Sequence, residues 1–287
     1  MSNLLIYKRT KKYIRLKYTI AWYVGILFFF ILYFSGIVPV YIFFRKKYLK
    51  QYLTFVLMYH RIDNVKTDRD ITVSIKNFEN QMKYLRQNYD VISLDTLLSR
   101  HKQNHIKQID EIAVTFDDGF KDNFTNAFPI LRKYDIPASI FVATNFIDKN
   151  EGLSREDIFL MKKRNIAFGS HTRTHNVLSE TDKNSALEEI RGSKKILEEI
   201  LQDDVRYFAY PYGKRELDFN DDSMRIVKEA GYSAAFSTNN GCITNNSDIF
   251  ALERLGVRDF PMFVFKVRIS GIFENKWIHI LWKYLGV

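Results

Sequence analysis

The sequence predicts a parallel α/β architecture, with strands and helices alternating around a distorted (β/α) barrel and a single apolar segment ahead of it. Three observations carry that expectation. Short β-rich apolar runs alternate with segments of helical periodicity throughout residues 54–257. Residues of chemical interest recur just past the C-terminal ends of those runs: His60, Asp117, Asp118, His171 and Tyr212. That end is where an α/β barrel places its chemistry. Finally, residues 113–119 read Ala-Val-Thr-Phe-Asp-Asp-Gly, a buried-strand pattern that stops at two carboxylates and a glycine.

The chain begins with a different composition. Residues 18–44 carry no charge and, as a helix, would reach roughly 40 Å, more than a hydrocarbon core requires. Six basic residues precede the stretch and four follow it. Pro39 is expected to end or kink the helix. The expected organisation is a basic cytoplasmic segment over 1–17, a transmembrane anchor over 18–44, a linker over 45–53 and one large domain over 54–287. The flanking charges orient the body to the outer face of the cell membrane. The formal net charge of +10 belongs to this end: residues 51–287 hold 33 basic and 33 acidic residues. A balanced body lacks the basic face of a nucleic-acid-binding protein. Cys242 is the only cysteine, which excludes an intrachain disulfide.

Along the body, 54–58 reads as a first strand that presents His60 at its end. Residues 77–88 have helical spacing, with Phe78, Met82 and Leu85 on one face. A short strand and a helix start follow over 91–98. His101 and His105 are spaced for metal on a helix, but no acid lies among them, and 101–108 reads as a solvated loop. After the Asp-Asp-Gly strand, 121–134 reads as a helix and 138–143 as a strand. Ser154 to Asp157 has the pattern of a capping box opening a helix. A strand over 166–169 leads into Ser-His-Thr-Arg-Thr-His, residues 170–175. Residues 185–201 form a strongly amphipathic helix. Strands over 207–210, 234–236 and 252–257 complete the sheet, the last holding Arg254, with a helix over 222–229 between the first two. The aromatic stretch 277–285 is expected to pack on the barrel as a helix.

Two adjacent carboxylates repel, and a metal on one of them relieves that cost and leaves the other as a base. His171 and His175 are four apart, so on one helical turn both imidazoles would face one ion. Asp118 would complete a two-histidine, one-carboxylate set with open coordination positions, suited to zinc and also to cobalt, nickel or iron.

Taken together, Thr-Phe-Asp-Asp-Gly (115–119), Ser-His-Thr-x-x-His (170–175) and Ala-Tyr-Pro-Tyr-Gly (209–213) resemble the three main motifs of the NodB-type polysaccharide deacetylases, carbohydrate esterase family four. The likeness runs from about Phe55 to Val267. It implies a distorted barrel and metal-dependent removal of acetyl groups from N-acetylhexosamines. By this resemblance Asp117 is the general base, and Asp118, His171 and His175 hold the metal. The Tyr212 N–H is the oxyanion donor, with Pro211 and Tyr212 shaping the groove.

Two departures refine the likeness. Many members carry an Arg where this chain has Ala209, and many end in a Leu-x-His motif, whereas no histidine occurs here between His175 and His279. A Tyr-His pair ahead of the Asp-Asp-Gly strand is similar to the permuted branch that deacetylates poly-β-1,6-N-acetylglucosamine. In that branch the acid histidine comes from the N-terminal strand, which points to His60. By the same logic Arg254 is the candidate partner of Asp117, with Arg206 as runner-up. The implied substrate is an N-acetylglucosamine surface polymer of the kind found in biofilms, with peptidoglycan or another exopolysaccharide as the alternative. A membrane-bound polysaccharide synthase is a candidate partner. A catalytically silent glycan-binding protein would have lost a ligand or the base, and all four residues are present.

Overall fold

The computed structural model describes residues 23–65, 71–103 and 108–274. The expectations for residues 1–22, for His105 and for the 277–285 helix lie outside the described residues. The chain divides into two compact units. One is Tyr52–Phe260; the other takes its described residues from both ends of the chain, 23–51 and 261–274.

The larger unit is built on a curled parallel sheet. Its strands are β1 (Thr54–Tyr59), β4 (Asp90–Val91), β5 (Glu111–Phe116), β6 (Ala138–Val142), β7 (Ile166–Ser170), β8 (Tyr207–Ala209), β9 (Ala234–Phe236) and β10 (Leu255–Gly256). They run in the order β10-β1-β5-β6-β7-β8-β9, with β4 on β5, and every pairing is parallel. A separate two-stranded ribbon pairs β2 (Arg61–Ile62) with β3 (Thr72–Val73). Strands covered on both faces need no polar alternation, and β5 and β6 are buried at every position. Val56, Ala113, Phe141, Tyr207, Ala234, Phe236 and Leu252 pack together in one cluster. Gly169 has to be small: a Cβ there would sit 2.6 Å from the Phe141 ring.

The helices follow the spacing read from the sequence. Helix α3 (Ile75–Asn88) buries Phe78, Met82 and Leu85. Each such side chain contributes about 1.5–3 kcal/mol of apolar burial. In α4 (Leu94–Lys102) the Ser93 hydroxyl accepts from the Thr96 N–H, and α6 (Arg155–Lys162) has the full Ser154/Asp157 capping box. Asp182 caps α7 (Lys183–Leu201) and Asn220 caps α8 (Asp221–Glu229) in the same way. These caps satisfy N–H groups that have no partner inside the helix.

Two elements depart from expectation. The helix after β5 is interrupted by a π-helical turn, Asn123–Ala127, before α5 (Phe128–Lys133). Pro129 has no N–H to give to the carbonyl four residues back, and a widened turn accommodates it. The last strand is shorter than 252–257. Leu252 bridges Phe236 of β9, whereas Leu255 pairs with Leu57 of β1. The chain changes partners between these residues, so it cannot stay a regular strand, and this change links the two edges of the sheet.

In the smaller unit, helix α1 (Tyr23–Phe34) meets α2 (Ile37–Lys47) at a 59° bend. Among the described residues no single helix is long and apolar enough to cross a membrane, although the bent pair together has the length and composition. The break falls at Gly36 (φ 80°), not at Pro39. Pro39 lies in the first turn of α2, where a missing N–H costs nothing. Helix α9 (Met262–Arg268) belongs to this same unit.

Candidate active site

The end of β5 turns sharply because its residues adopt left-handed backbone. The Asp117 N–H still continues the ladder to Tyr59 O at 2.9 Å, but Asp118 has φ 72° and Gly119 φ 76°. Both carboxylates are therefore carried into the interior at the C-terminal end of the sheet, Asp117 at 1 % exposure and Asp118 at 7 %.

Arg254 comes from the segment that links the sheet edges. Its guanidinium meets both Asp117 oxygens at 2.7 Å, and its Nε–H donates to Ser237 O at 2.9 Å. Arg254 is fully buried. Burial pushes Asp117 up, yet the Arg254 charge, with His171 beside it, outweighs that and holds the carboxyl below the usual range. Arg206, the alternative partner, pairs with Asp95 at 2.7 Å instead.

Asp118 faces the two histidines. Its Oδ1 lies 3.4 Å from His171 Nε2 and 3.2 Å from His175 Nε2. A tetrahedral ion with bonds near 2.0–2.1 Å needs donors about 3.3 Å apart. The three donor atoms lie within 4.8 Å of one another, and Asp118 Oδ1 is buried with no hydrogen-bond partner. The His171 Nδ1–H donates to Ala209 O at 2.7 Å, which leaves the Nε2 lone pair for an ion. Burial disfavours ionised Asp118, but the imidazoles facing it prevail and hold its carboxyl well below the usual range. These residues fit a divalent metal.

The histidines do not share a helical turn, contrary to the spacing argument. Residues 171–175 form an irregular loop, with Thr172 at φ 64° and His175 at φ 62°. The backbone reversal, not helical periodicity, brings both rings to Asp118. Such conformations cost on the order of 1–3 kcal/mol each and need outside support. Glu189 of α7 supplies it. Its carboxylate accepts from the Arg173 N–H (2.8 Å), the Thr174 N–H (2.9 Å) and the Thr174 hydroxyl (2.9 Å). The Thr172 hydroxyl accepts from the His175 N–H at 3.0 Å. Sequence reasoning missed Glu189: the glutamates of this helix were expected to face water, yet Glu189 is buried, because its carboxylate serves backbone N–H groups 15 and 16 residues away.

His60 follows β1 and stands near enough to Asp117 and Asp118 to feel both charges; burial still holds its imidazole below the ordinary value. Asn123, in the π-helical turn, donates to the His60 carbonyl at 2.7 Å and fixes that end of the strand. Pro211 is buried, and Tyr212 is 58 % exposed at φ 59° with its ring 4.9 Å from that of His175. The Tyr212 N–H meets no acceptor among the described residues. Seven of the eight residues singled out in the sequence thus lie at the C-terminal ends of the strands or on the loops that follow them, and Arg254 directly precedes β10.

The chain is similar to several known proteins. The polysaccharide deacetylase family model matches residues 105–235. BA0330 of Bacillus anthracis, assigned to the polysaccharide deacetylases, is 30 % identical over 76 % of this chain and 68 % of its own, with a TM-score of 0.65. This chain belongs to the polysaccharide deacetylase family. It is therefore an enzyme of the hydrolase class, a deacetylase. The structure of IcaB from Ammonifex degensii is also similar, with a TM-score of 0.67 and 25 % identity, covering 77 % of this deacetylase and 97 % of IcaB. The poly-β-1,6-N-acetyl-D-glucosamine N-deacetylase of Staphylococcus aureus is 26 % identical over 243 residues, 75 % of this chain and 82 % of that one. The family match includes Asp117, Asp118, His171, His175 and Tyr212 of this deacetylase. It stops short of His60 and Arg254, which the fold brings in from either side.

Proposed function

We propose that this deacetylase removes N-acetyl groups from N-acetylglucosamine units of a surface polysaccharide, most specifically poly-β-1,6-N-acetylglucosamine, with a divalent metal bound by Asp118, His171 and His175. The observation that carries the reading is the orphaned Asp118 Oδ1 between two imidazole nitrogens, beside a second carboxylate held ionised by Arg254. The substrate assignment draws on the names borne by the S. aureus relative and by IcaB. Zinc suits this donor set, as do cobalt, nickel and iron.

An ion held there would supply Lewis acidity, acidifying water and polarising the acetyl carbonyl. Asp117 takes the proton from the attacking water, and its carboxylate is kept anionic and correctly turned by the Arg254 fork. The Tyr212 N–H donates to the oxygen that gains charge in the tetrahedral state. His60 delivers a proton to the departing nitrogen, because an unprotonated amide nitrogen leaves poorly. The products are acetate and a free amine on the sugar. The charge-free stretch 18–44 holds the chain to the membrane, and the body acts on polymer at the outer face.

The test is acetate release by the detergent-solubilised chain on defined β-1,6 and β-1,4 N-acetylglucosamine oligomers, with and without chelator. Release from the β-1,6 oligomers that chelator abolishes and added zinc restores is expected. Turnover of the β-1,4 series alone would redirect the assignment to peptidoglycan. Chelator-insensitive turnover would overturn the metal role.

A further inference from the structure

The smaller unit is a broken helical pair laced to the C-terminal segment. Phe263 of α9 packs against Phe30 (5.9 Å), Tyr33 (6.4 Å) and Phe34 (6.1 Å) of α1, and Phe273 packs against Phe29 at 5.7 Å. The Tyr41 hydroxyl of α2 donates to Gly271 O at 3.0 Å. Away from these contacts the unit leaves large apolar side chains uncovered: Leu27, Ile31, Ile37, Val40 and Phe44 are each about half exposed or more. Exposed apolar surface of this extent marks an interaction face.

Three features identify lipid as the occupant and constrain how it is met. First, the apolar stretch is broken: α2, which rises only ~16 Å, turns 59° away from α1 at Gly36, so among the described residues no straight helix carries it through a core of about 30 Å. Second, Lys266 of α9 donates to the Tyr33 hydroxyl at 3.2 Å. Tyr33 lies near the middle of the charge-free stretch 18–44, so a straight crossing would hold an ammonium close to the bilayer centre, where charge is expensive. At the headgroup level the same pair is comfortable, since tyrosine and lysine both bridge apolar and wet surroundings. Third, Lys47 at the end of α2 and Lys50 just beyond it are exposed, which complements anionic headgroups.

We propose that this unit is a wedge seated in one leaflet of an anionic bilayer, with the C-terminal arm as part of it, so that the chain's N-terminus stays on the same side as the body. The proposal rests on the membrane attachment proposed above and replaces a crossing with an in-plane insertion. The bend at Gly36 lets the helices lie along the interface, their uncovered apolar side chains inward, with Lys47 and Lys50 left at the headgroup level.

The test uses full-length chain in vesicles of phosphatidylglycerol and phosphatidylcholine, with Cys242→Ser as background. A fluorophore on Ile31→Cys should be quenched at least threefold more by spin label at a shallow acyl position than by one near the chain end. Ser2→Cys and Leu49→Cys should react with a membrane-impermeant maleimide to the same extent in sealed vesicles. Deep quenching at Ile31, or Ser2→Cys and Leu49→Cys protected on opposite sides, would overturn the wedge while leaving membrane attachment standing. Failure of the chain to float with any vesicle would instead overturn the attachment itself. Protein-to-protein crosslinking at Ile31→Cys in place of lipid quenching would assign the face to a second copy of the chain.

Discussion

Arg254→Met tests whether the base is prepared by its buried partner. The change removes two charge-assisted hydrogen bonds of 2.7 Å to Asp117 and the 2.9 Å bond to Ser237 O, all at a fully buried position. Breaking one side of a buried pair leaves the other charge without compensation and costs roughly 3–5 kcal/mol. For a unit of this size that lowers the melting temperature by about 6–20 °C. The sign with pH follows from the direction of the Asp117 shift. Its folded value is held below the ordinary carboxylate value, so the pairing stabilises the native state above the unfolded value and is lost as pH falls through the folded one. In the variant burial is opposed only by the nearby His171 and His60, and Asp117 rises. The destabilisation is therefore largest near neutrality and shrinks in acid, where the carboxyl takes up a proton. The acid limb of kcat/KM for acetate release moves to higher pH, because Asp117 must be anionic to accept a proton. Arg254→Lys keeps the charge but not the fork, and should recover part of both effects. Melting curves from pH 4 to 8 and a pH–rate profile give the two readouts. An acid limb that stays in place while stability drops would refute Arg254 as the group that holds Asp117 ionised.

Asp117→Asn should abolish acetate release while zinc content, measured by metal analysis after dialysis, persists. His175→Ala should lose the metal, with melting of the chelated protein changed by less than about 1 kcal/mol, since the ring is partly exposed at the mouth of the site. Glu189→Ala leaves two N–H groups and a hydroxyl without their acceptor. It should weaken zinc binding by about 10–100-fold in a competition titration; unchanged affinity would show that the left-handed loop holds itself. His60→Ala should lower kcat by about 10²–10⁴-fold with metal affinity retained, and a wild-type rate would return the acid role to another group.

Strand and helix order was legible because local chemistry dictates it. Apolar runs such as 111–116 and 138–142 are buried on both faces, and Ser93, Ser154, Asp182 and Asn220 cap the helices they precede. The Asp-Asp-Gly and His-Thr-Arg-Thr-His segments were visible because a metal site needs those donor types close together in the chain. What local patterns cannot contain is how distant segments meet. The pairing of Asp117 with Arg254 spans 137 residues, and it arises where the last segment leaves β9 for β1. The brace from Glu189 and the approach of His60 likewise depend on sheet curvature and loop reversal. Helical spacing suggested how His171 and His175 could converge, but positive φ at Thr172 and His175 achieves it, and that conformation persists only because the packed fold stabilises it. Residue type and order thus determined the chemistry available, while tertiary packing decided which groups share one desolvated pocket, where charges a few ångströms apart govern each other's protonation.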